Sequence, residues 1–386
     1  MKTLNELSRL GVLALSRVFG DKPKIAHALL HELGSVEALF NLSEKERNEI
    51  LGPKFYNLLS DKVLEQASKD LAELMQLGAG LLSIEDSEYP DTLKECCDAP
   101  LALYYKSTSP VKNIFSRPMI SIVGTRDMSP YGREWTIKIV QGLAKAAKVP
   151  TIVSGLAYGV DGLAHGQALN EHIPTIAVLP TGIEKIYPTA HSNLAKAIYN
   201  STDSAIISDY PLHTVVSPAS FIRRNRIIAG LSSATIVVES KQKGGALITA
   251  HDAFDYGRDV YALPGRIDDL RSIGCNNLIA EKTAEAINDV DILCRKLGLK
   301  SKRTSKNSAP CENVRRRYAS LPQNNVEALC LITEKILENK GIDIEQLAAI
   351  TGLDYSRVLA CCSMLQKDGF LQVDLLQRCI FIAKIS

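Results

Sequence analysis

The sequence predicts an α/β protein. A parallel β-sheet covered by helices on both faces lies between a small helical module and a winged-helix pattern. Two observations predict the sheet. Between residues 79 and 293, short apolar or β-branched runs occur at 119–123, 151–153, 175–179, 205–208, 235–238 and 260–262, as expected of strands buried on both faces. Helical stretches lie between them, near 131–148, 160–169, 192–199, 221–231 and 246–256. Strand–helix alternation at this spacing makes a parallel sheet, whose ligand crevice lies beyond the carboxyl ends of its strands. A length of 386 residues with 46% hydrophobic and 23% charged content suits two or three ordinary globular domains.

Residues 1–78 read as helical. Leu4, Leu7, Ala14 and Val18 form one stripe at helical spacing, and a second amphipathic stretch runs over 24–33. Gly34-Ser35 breaks it, and Ser43 with Glu46 fits a capping box. The turn between short helices is compatible with a helix-hairpin-helix or SAM-like unit; we favour a structural or docking bundle. Residues 294–322 read as a basic linker. Nine Lys/Arg against one Glu over 294–320 make a local charge of +8, a flexible tether able to add salt-sensitive phosphate affinity. Residues 323–386 read as a helix over 325–338, a helix–turn–helix with Gly352 at the turn, and two short strands within 372–382, a winged-helix pattern. Its presumed recognition helix carries only Arg357 and Lys367 as cations, which favours protein docking over duplex reading.

Composition excludes several classes. No apolar run reaches the ~18–20 residues of a membrane span, and the charged N-terminal stretch reads as an amphipathic helix rather than a signal peptide. Nine cysteines without a C-x-x-C suit neither zinc nor a disulfide framework; reduced thiols in a cytoplasmic protein are expected. A net charge of +2 requires any anionic partner to be met by local basic patches.

Four strand-end motifs carry the chemistry. Gly124-Thr125-Arg126 follows the first long strand, and Ser129-Pro130 supplies an N-cap and first helical residue, so a helix N-terminus faces the crevice as an anion site. Ser154-Gly155 opens the glycine-rich loop SGLAYGVDGLAH. It is not G-x-G-x-x-G, no acid follows the second strand to hold a ribose, and no Walker sequence is present; NAD and NTP hydrolysis are not expected. Asp161 and His165 share a helix face, where a local contact is favoured over an acid–base pair. Phe221 precedes Arg223-Arg224-Asn225-Arg226, cations beside an aromatic as a single-stranded nucleic-acid groove needs. Lys243-Gly244-Gly245 opens a last helix. Three or four such termini along one rim exceed what one mononucleotide requires and suit a row of phosphates.

These motifs continue with AVLPTGIEKIYP, VVES, KGGALITA, GRDVYALPG and GCNNLI, in order, with YPDTL and APLALYY upstream. Over residues 79–285 the chain resembles the DNA-processing protein A family (DprA, also called Smf). The resemblance implies an extended Rossmann-like domain, often with an N-terminal SAM-like domain and a C-terminal winged helix. It also implies single-stranded DNA binding, homodimerisation and loading of RecA onto DNA in natural transformation. It implies no covalent chemistry, no cofactor and no metal. Carried over, the DNA-binding residues are Gly124, Thr125, Arg126, Ser154, Gly155, Phe221, Arg223, Arg224, Asn225, Arg226, Lys243, Gly244 and Gly245. Family members often carry Asn-Phe-Pro before the arginines; Ser220-Phe221-Ile222 stands there here and keeps the aromatic. Dimer and RecA contacts are expected on the last helices of that domain. Arg126→Ala and Arg224→Ala are both expected to weaken binding with little loss of fold.

Two alternatives differ in class. Nucleotide phosphoribohydrolase-type enzymes share a Gly-Gly–Thr turn; Gly244-Gly245 is present, but His251 and Asp252 stand near where their acid is expected. A winged-helix transcription regulator requires a more basic recognition helix.

Overall fold

The computed structural model describes residues 4–299, 308–339, 341–374 and 377–382, with backbone alone at 4–8 and 308–310. The Leu4 and Leu7 side chains and the middle of the basic linker, 300–307, lie outside the described residues. The chain forms two compact units, residues 1–301 and 302–386.

The first unit opens with five helices: α1 (Leu4–Phe19), α2 (Pro23–Leu33), α3 (Val36–Asn41), α4 (Glu44–Leu58) and α5 (Asp61–Gln76). Local chemistry sets their ends. Gly34 turns with φ +82° and donates its N–H to Leu30 O at 2.8 Å, a conformation glycine adopts without strain. Ser35 Oγ accepts from Ala38 N at 3.1 Å, and Ser43 and Glu46 close a capping box. Ala14, Leu29, Leu39 and Leu74 are buried. Arg17 on α1 pairs with buried Asp70 on α5 at 2.5 Å.

Nine strands follow: β1 (Gly80–Ser83), β2 (Ala102–Lys106), β3 (Met119–Val123), β4 (Thr151–Ser154), β5 (Thr175–Val178), β6 (Ala205–Ser208), β7 (Ala234–Val237), β8 (Asp259–Ala262) and β9 (Glu285–Ala286). They form one sheet in the order β1-β2-β6-β5-β4-β3-β7-β8-β9. From β6 to β9 every pair is parallel; β1 and β2 add an antiparallel edge. Ile120 lies opposite Ile152 on one side and Ala234 on the other. All six strands expected from the sequence form. The helices are α6 (Asp91–Lys94), α7 (Val111–Ile114), α8 (Pro130–Ala144), α9 (Val160–Asn170), α10 (Ser192–Asn200), α11 (Pro218–Leu231), α12 (Gly245–Asp255), α13 (Ile273–Ala280) and α14 (Val290–Lys296). Two apolar clusters, centred on Ile176, Ile207 and Ile228 and on Ile122, Ile139 and Ile236, sandwich this Rossmann-like sheet.

The second unit holds α15 (Ser308–Arg317), α16 (Gln323–Glu338), α17 (Ile344–Thr351), α18 (Tyr355–Lys367) and the antiparallel pair β10 (Leu371–Val373) and β11 (Cys379–Phe381). Gly352 ends α17 at φ +67°. α15 occupies a stretch expected as linker: Val314 on it and Tyr318 just after it are buried in this unit's core, and that burial stabilises the helix, whose three arginines in the last turn suit its C-terminal dipole. All nine cysteines are free thiols. Among the described residues no helix is long and apolar enough to cross a membrane.

Candidate nucleic-acid interface

Strand order locates the crevice. From β3 the chain continues to β4, β5 and β6 on one side, whereas β7 and β8 add on the other. The gap beyond the carboxyl ends of β3 and β7 is therefore the topological switch point, where such sheets bind ligands. A cavity of about 440 Å³ opens there, lined by Gly124, Arg126, Phe221, Arg224, Asn225, Lys243 and Gly244 among others. Four cations (Arg126, Arg224, Lys241, Lys243) face it against two carboxylates (Asp127, Asp161).

The four helix termini expected to meet phosphates are not equivalent. That of α8 is already filled. Glu239, at the end of β7 and 1% exposed, accepts from Ser129 N at 3.0 Å and from Ser129 Oγ; Ser129 Oγ accepts from Gly132 N at 3.0 Å. With Ser129 N held by the carboxylate and Gly132 N by Ser129 Oγ, this terminus already has a negative charge on its dipole where an anion would sit. The α9 terminus is closed too. Val160 N donates to Thr125 O at 3.2 Å, and Asp161 accepts from the main chain of Ala157 and Gly155. At α11, Ser217 N donates to Ser220 Oγ at 3.1 Å. The α12 terminus is different: no side chain caps it, Gly245 is exposed with open space around its Cα, and it faces the cavity. Close packing explains the other glycines. A Cβ at Gly124 would lie 2.6 Å from Val160, and Gly159, at φ +75°, packs against the backbone of Thr125 and Arg126.

The arginine run also divides. Arg223 and Arg226 both pair with buried Asp209, at 3.0 and 2.7 Å, and Arg226 also reaches Asp98 O. Neither lines the cavity, because Asp209, just past β6, holds both. Arg224, 3% exposed, donates to Gly155 O and Val178 O, each at 2.5 Å, and so ties α11 to the ends of β4 and β5. Burial pulls its pKa down to about 10 against the field of Asp161. Burial likewise raises Asp161, opposed by Arg224. Asn225 bridges Arg224 Nε (3.2 Å) and Gly245 O (3.2 Å). Ser154 is fully buried and donates to Ile122 O at 2.6 Å. The side chains of Ser154, Arg223 and Arg226 are thus engaged inside the protein, and Arg224 lines the cavity wall with its guanidinium held by Gly155 O. The expectation that Arg224→Ala spares the fold is corrected by its burial.

What remains open is compact. Arg126 is exposed, makes no hydrogen bond or ion pair among the described residues, and lies over Phe221 with Cζ 5.2 Å from the ring centroid. That stack orients a guanidinium without using its donors. Lys243 is exposed two residues before the α12 terminus. Lys241 and Arg271 share Asp127, at 3.7 and 3.1 Å. Thr125 donates its amide to Glu239 O at 2.8 Å and shapes the turn.

Among the described residues no acid–base pair lines the cavity beside these groups. His165 Nδ1 meets Thr175 Oγ1 at 2.7 Å, not Asp161, and burial drives its pKa down to about 3. Asp252 is raised to about 6 by burial and then by Asp98, and neither His251 nor Asp252 lines the cavity. The sequence reading missed Glu239 as the α8 cap and Asp209 as the arginine partner. Both are acids at strand ends, and only the strand order brings them to their partners.

Comparison with known proteins agrees with this architecture. The family model for DNA recombination-mediator protein A matches residues 80–298. The chain is 36% identical over 292 residues to Protein Smf of Synechocystis, covering 74% of this chain and 72% of that one. It is 40% identical over 211 residues to DNA processing protein DprA of Streptococcus pneumoniae, covering 55% and 72%. The X-ray structure of the S. pneumoniae protein superposes with a TM-score of 0.64 at 33% identity, covering 76% of this chain and 98% of that one. DNA processing protein A of Helicobacter pylori, a structure described for its single-stranded DNA binding mode, gives a TM-score of 0.50 at 29% identity over 57% and 95%. The chain belongs to the DNA recombination-mediator protein A family.

Proposed function

We propose that this protein binds single-stranded DNA along the carboxyl edge of its sheet, protects it, and hands it to RecA in DNA processing for transformation or recombination. One observation carries the reading: Arg126, stacked on Phe221 and with no hydrogen bond or ion pair among the described residues, lines a cavity together with the uncapped α12 terminus. A phosphate in the cavity meets backbone N–H groups, a planar fork and the point charge of Lys243. An adjacent base meets the Phe221 ring. Arg224, anchored on Gly155 O, and Asn225 form part of the wall. The relative from H. pylori, described for single-stranded DNA binding, supports the same ligand class.

The reading uses no metal, cofactor or covalent step. It places the protein in the cytoplasm as a homodimer, two edges holding one strand while RecA nucleates beside it. The second unit serves as a winged-helix docking module. Titration of fluorescent oligo-dT and of matching duplex at two salt concentrations tests the reading, with RecA added afterwards. Preference for oligo-dT, weakened by salt, and faster RecA filament growth support it. Equal binding of duplex, or release of free base from nucleoside monophosphates, overturns it.

A further inference from the structure

The loops after β4 and β5 carry two exposed tyrosines that the binding site described so far does not use. Tyr187 is 40% exposed and Tyr158 is 48% exposed, and neither hydroxyl has a hydrogen-bond partner among the described residues. Both rings are nevertheless braced. Tyr187 packs edge-on against Phe221, centroids 5.1 Å apart and planes at 70°. Tyr158 packs edge-on against His191 at 5.1 Å and 66°, and His191 is itself anchored by Nδ1 on Leu156 O at 2.8 Å.

A braced ring with an open face and an unused hydroxyl is poorly explained by core packing, because a buried tyrosine hides its ring and pairs its hydroxyl. It fits a stacking platform, where rigidity lowers the entropy lost on binding. Position along the rim points the same way. Arg126 covers Phe221 and Phe221 abuts Tyr187, so guanidinium and two rings run continuously out of the cavity. They lead from the end of β3 toward β5, two strand spacings or about 10 Å away. Lys185, exposed beside Tyr187, has no ion pair among the described residues, while neighbouring Glu184 is occupied by His213 N at 3.0 Å.

Resting on the single-stranded DNA reading, we propose that Tyr187 and Tyr158 are base-stacking platforms that extend the bound strand from the phosphate cavity across the ends of β4 and β5. The strand turns its phosphates toward the cavity and Lys185, and its bases onto the rings. Stacking of this kind tolerates any base, since every base has a π-face.

The test compares fluorescence anisotropy of labelled oligo-dT with that of a length-matched abasic oligomer. The proteins are the full chain and its Tyr187→Ala, Tyr158→Ala, Tyr187→Phe and Arg126→Ala variants. Thermal melting verifies that each is folded. Each tyrosine-to-alanine variant is expected to bind oligo-dT about tenfold more weakly and the abasic oligomer as the parent does. Tyr187→Phe keeps parental affinity for both. Arg126→Ala loses affinity for both oligomers. Unchanged oligo-dT affinity in both alanine variants, or an equal loss on the abasic strand, overturns the platforms; if Arg126→Ala still weakens both oligomers, the parent reading stands. Failure of the full chain to bind either oligomer sinks both.

Discussion

Replacing Arg224 separates the structural part of the arginine run from the ligand-facing part. The guanidinium is buried and donates to Gly155 O and Val178 O. Its field is also the largest influence opposing the burial penalty on Asp161. Arg224→Ala orphans two buried carbonyls and removes the largest of the influences that offset the burial of Asp161, leaving the amides of Ala157 and Gly155 and the field of Arg126. Leaving two buried acceptors unpaired costs about 1–3 kcal/mol each, to which the weaker offset on Asp161 adds. For a unit of this size each kcal/mol moves Tm by about 2–4 °C, so a fall of about 10 °C is expected. The loss depends on pH. Asp161 has a folded pKa above its unfolded value, so its contribution is fully present below the unfolded value and is lost as pH rises through the folded one. The deficit of the variant is therefore greatest at neutral pH and shrinks in mild acid. Adding Asp161→Asn removes the buried charge and restores that part of the stability. The assay is thermal melting by circular dichroism at neutral and mildly acidic pH, with oligo-dT titration in the cold. A variant that melts within a degree of the parent yet no longer binds oligo-dT would refute the reasoning, because the guanidinium would then face the ligand.

Other perturbations have equally definite outcomes. Arg126→Ala should leave Tm unchanged and reduce the slope of log affinity against log salt by about 0.7, the share of one neutralised phosphate on a single strand; Arg223→Ala, whose charge is held by Asp209, should leave that slope unaltered. Glu239→Ala uncovers the α8 terminus and should cost about 2–3 kcal/mol, as charged hydrogen bonds do; sulfate should then raise the melting temperature of the variant more than that of the parent, by occupying the vacated amides. His165 is held near a pKa of about 3 by burial, below its unfolded value. Its contribution is present above the unfolded pKa of about 6.5 and should fall by roughly 1.4 kcal/mol per pH unit below it. His165→Gln should flatten that slope in acid melts.

Much of this molecule was legible in the sequence, and the exceptions share a cause. The six parallel strands declare themselves because burial on both faces demands continuous apolar runs such as Met119–Val123. The edge strands β1 and β2 do not: Gly80–Ser83 pairs antiparallel with β2 and is specified by that partner rather than by its own pattern. At the site, Gly124-Thr125-Arg126 and Lys243-Gly244-Gly245 were readable, because close backbone approach and an uncapped helix start are written locally. The arginine run was not. Its charge suggests phosphate, but Asp209 absorbs two members from 14 and 17 residues away, and the main chain of β4 and β5 absorbs a third. Likewise Ser129-Pro130 looks like a vacant anion site until β7 lies beside β3 and delivers Glu239. Local motifs thus show where a helix begins, while strand order decides whether its N-terminus is available.

Hydrogen–deuterium exchange on the full chain, with and without oligo-dT, tests the central claim most directly. Slowed exchange is expected at Gly245–Ala246, around Arg126 and at the start of α11, with no added protection at the amides of Ser129, held by Glu239, and of Gly132, held by Ser129 Oγ. Protection confined to the second unit, or spread over the α8 terminus while Gly245–Ala246 exchanges freely, would contradict the claim.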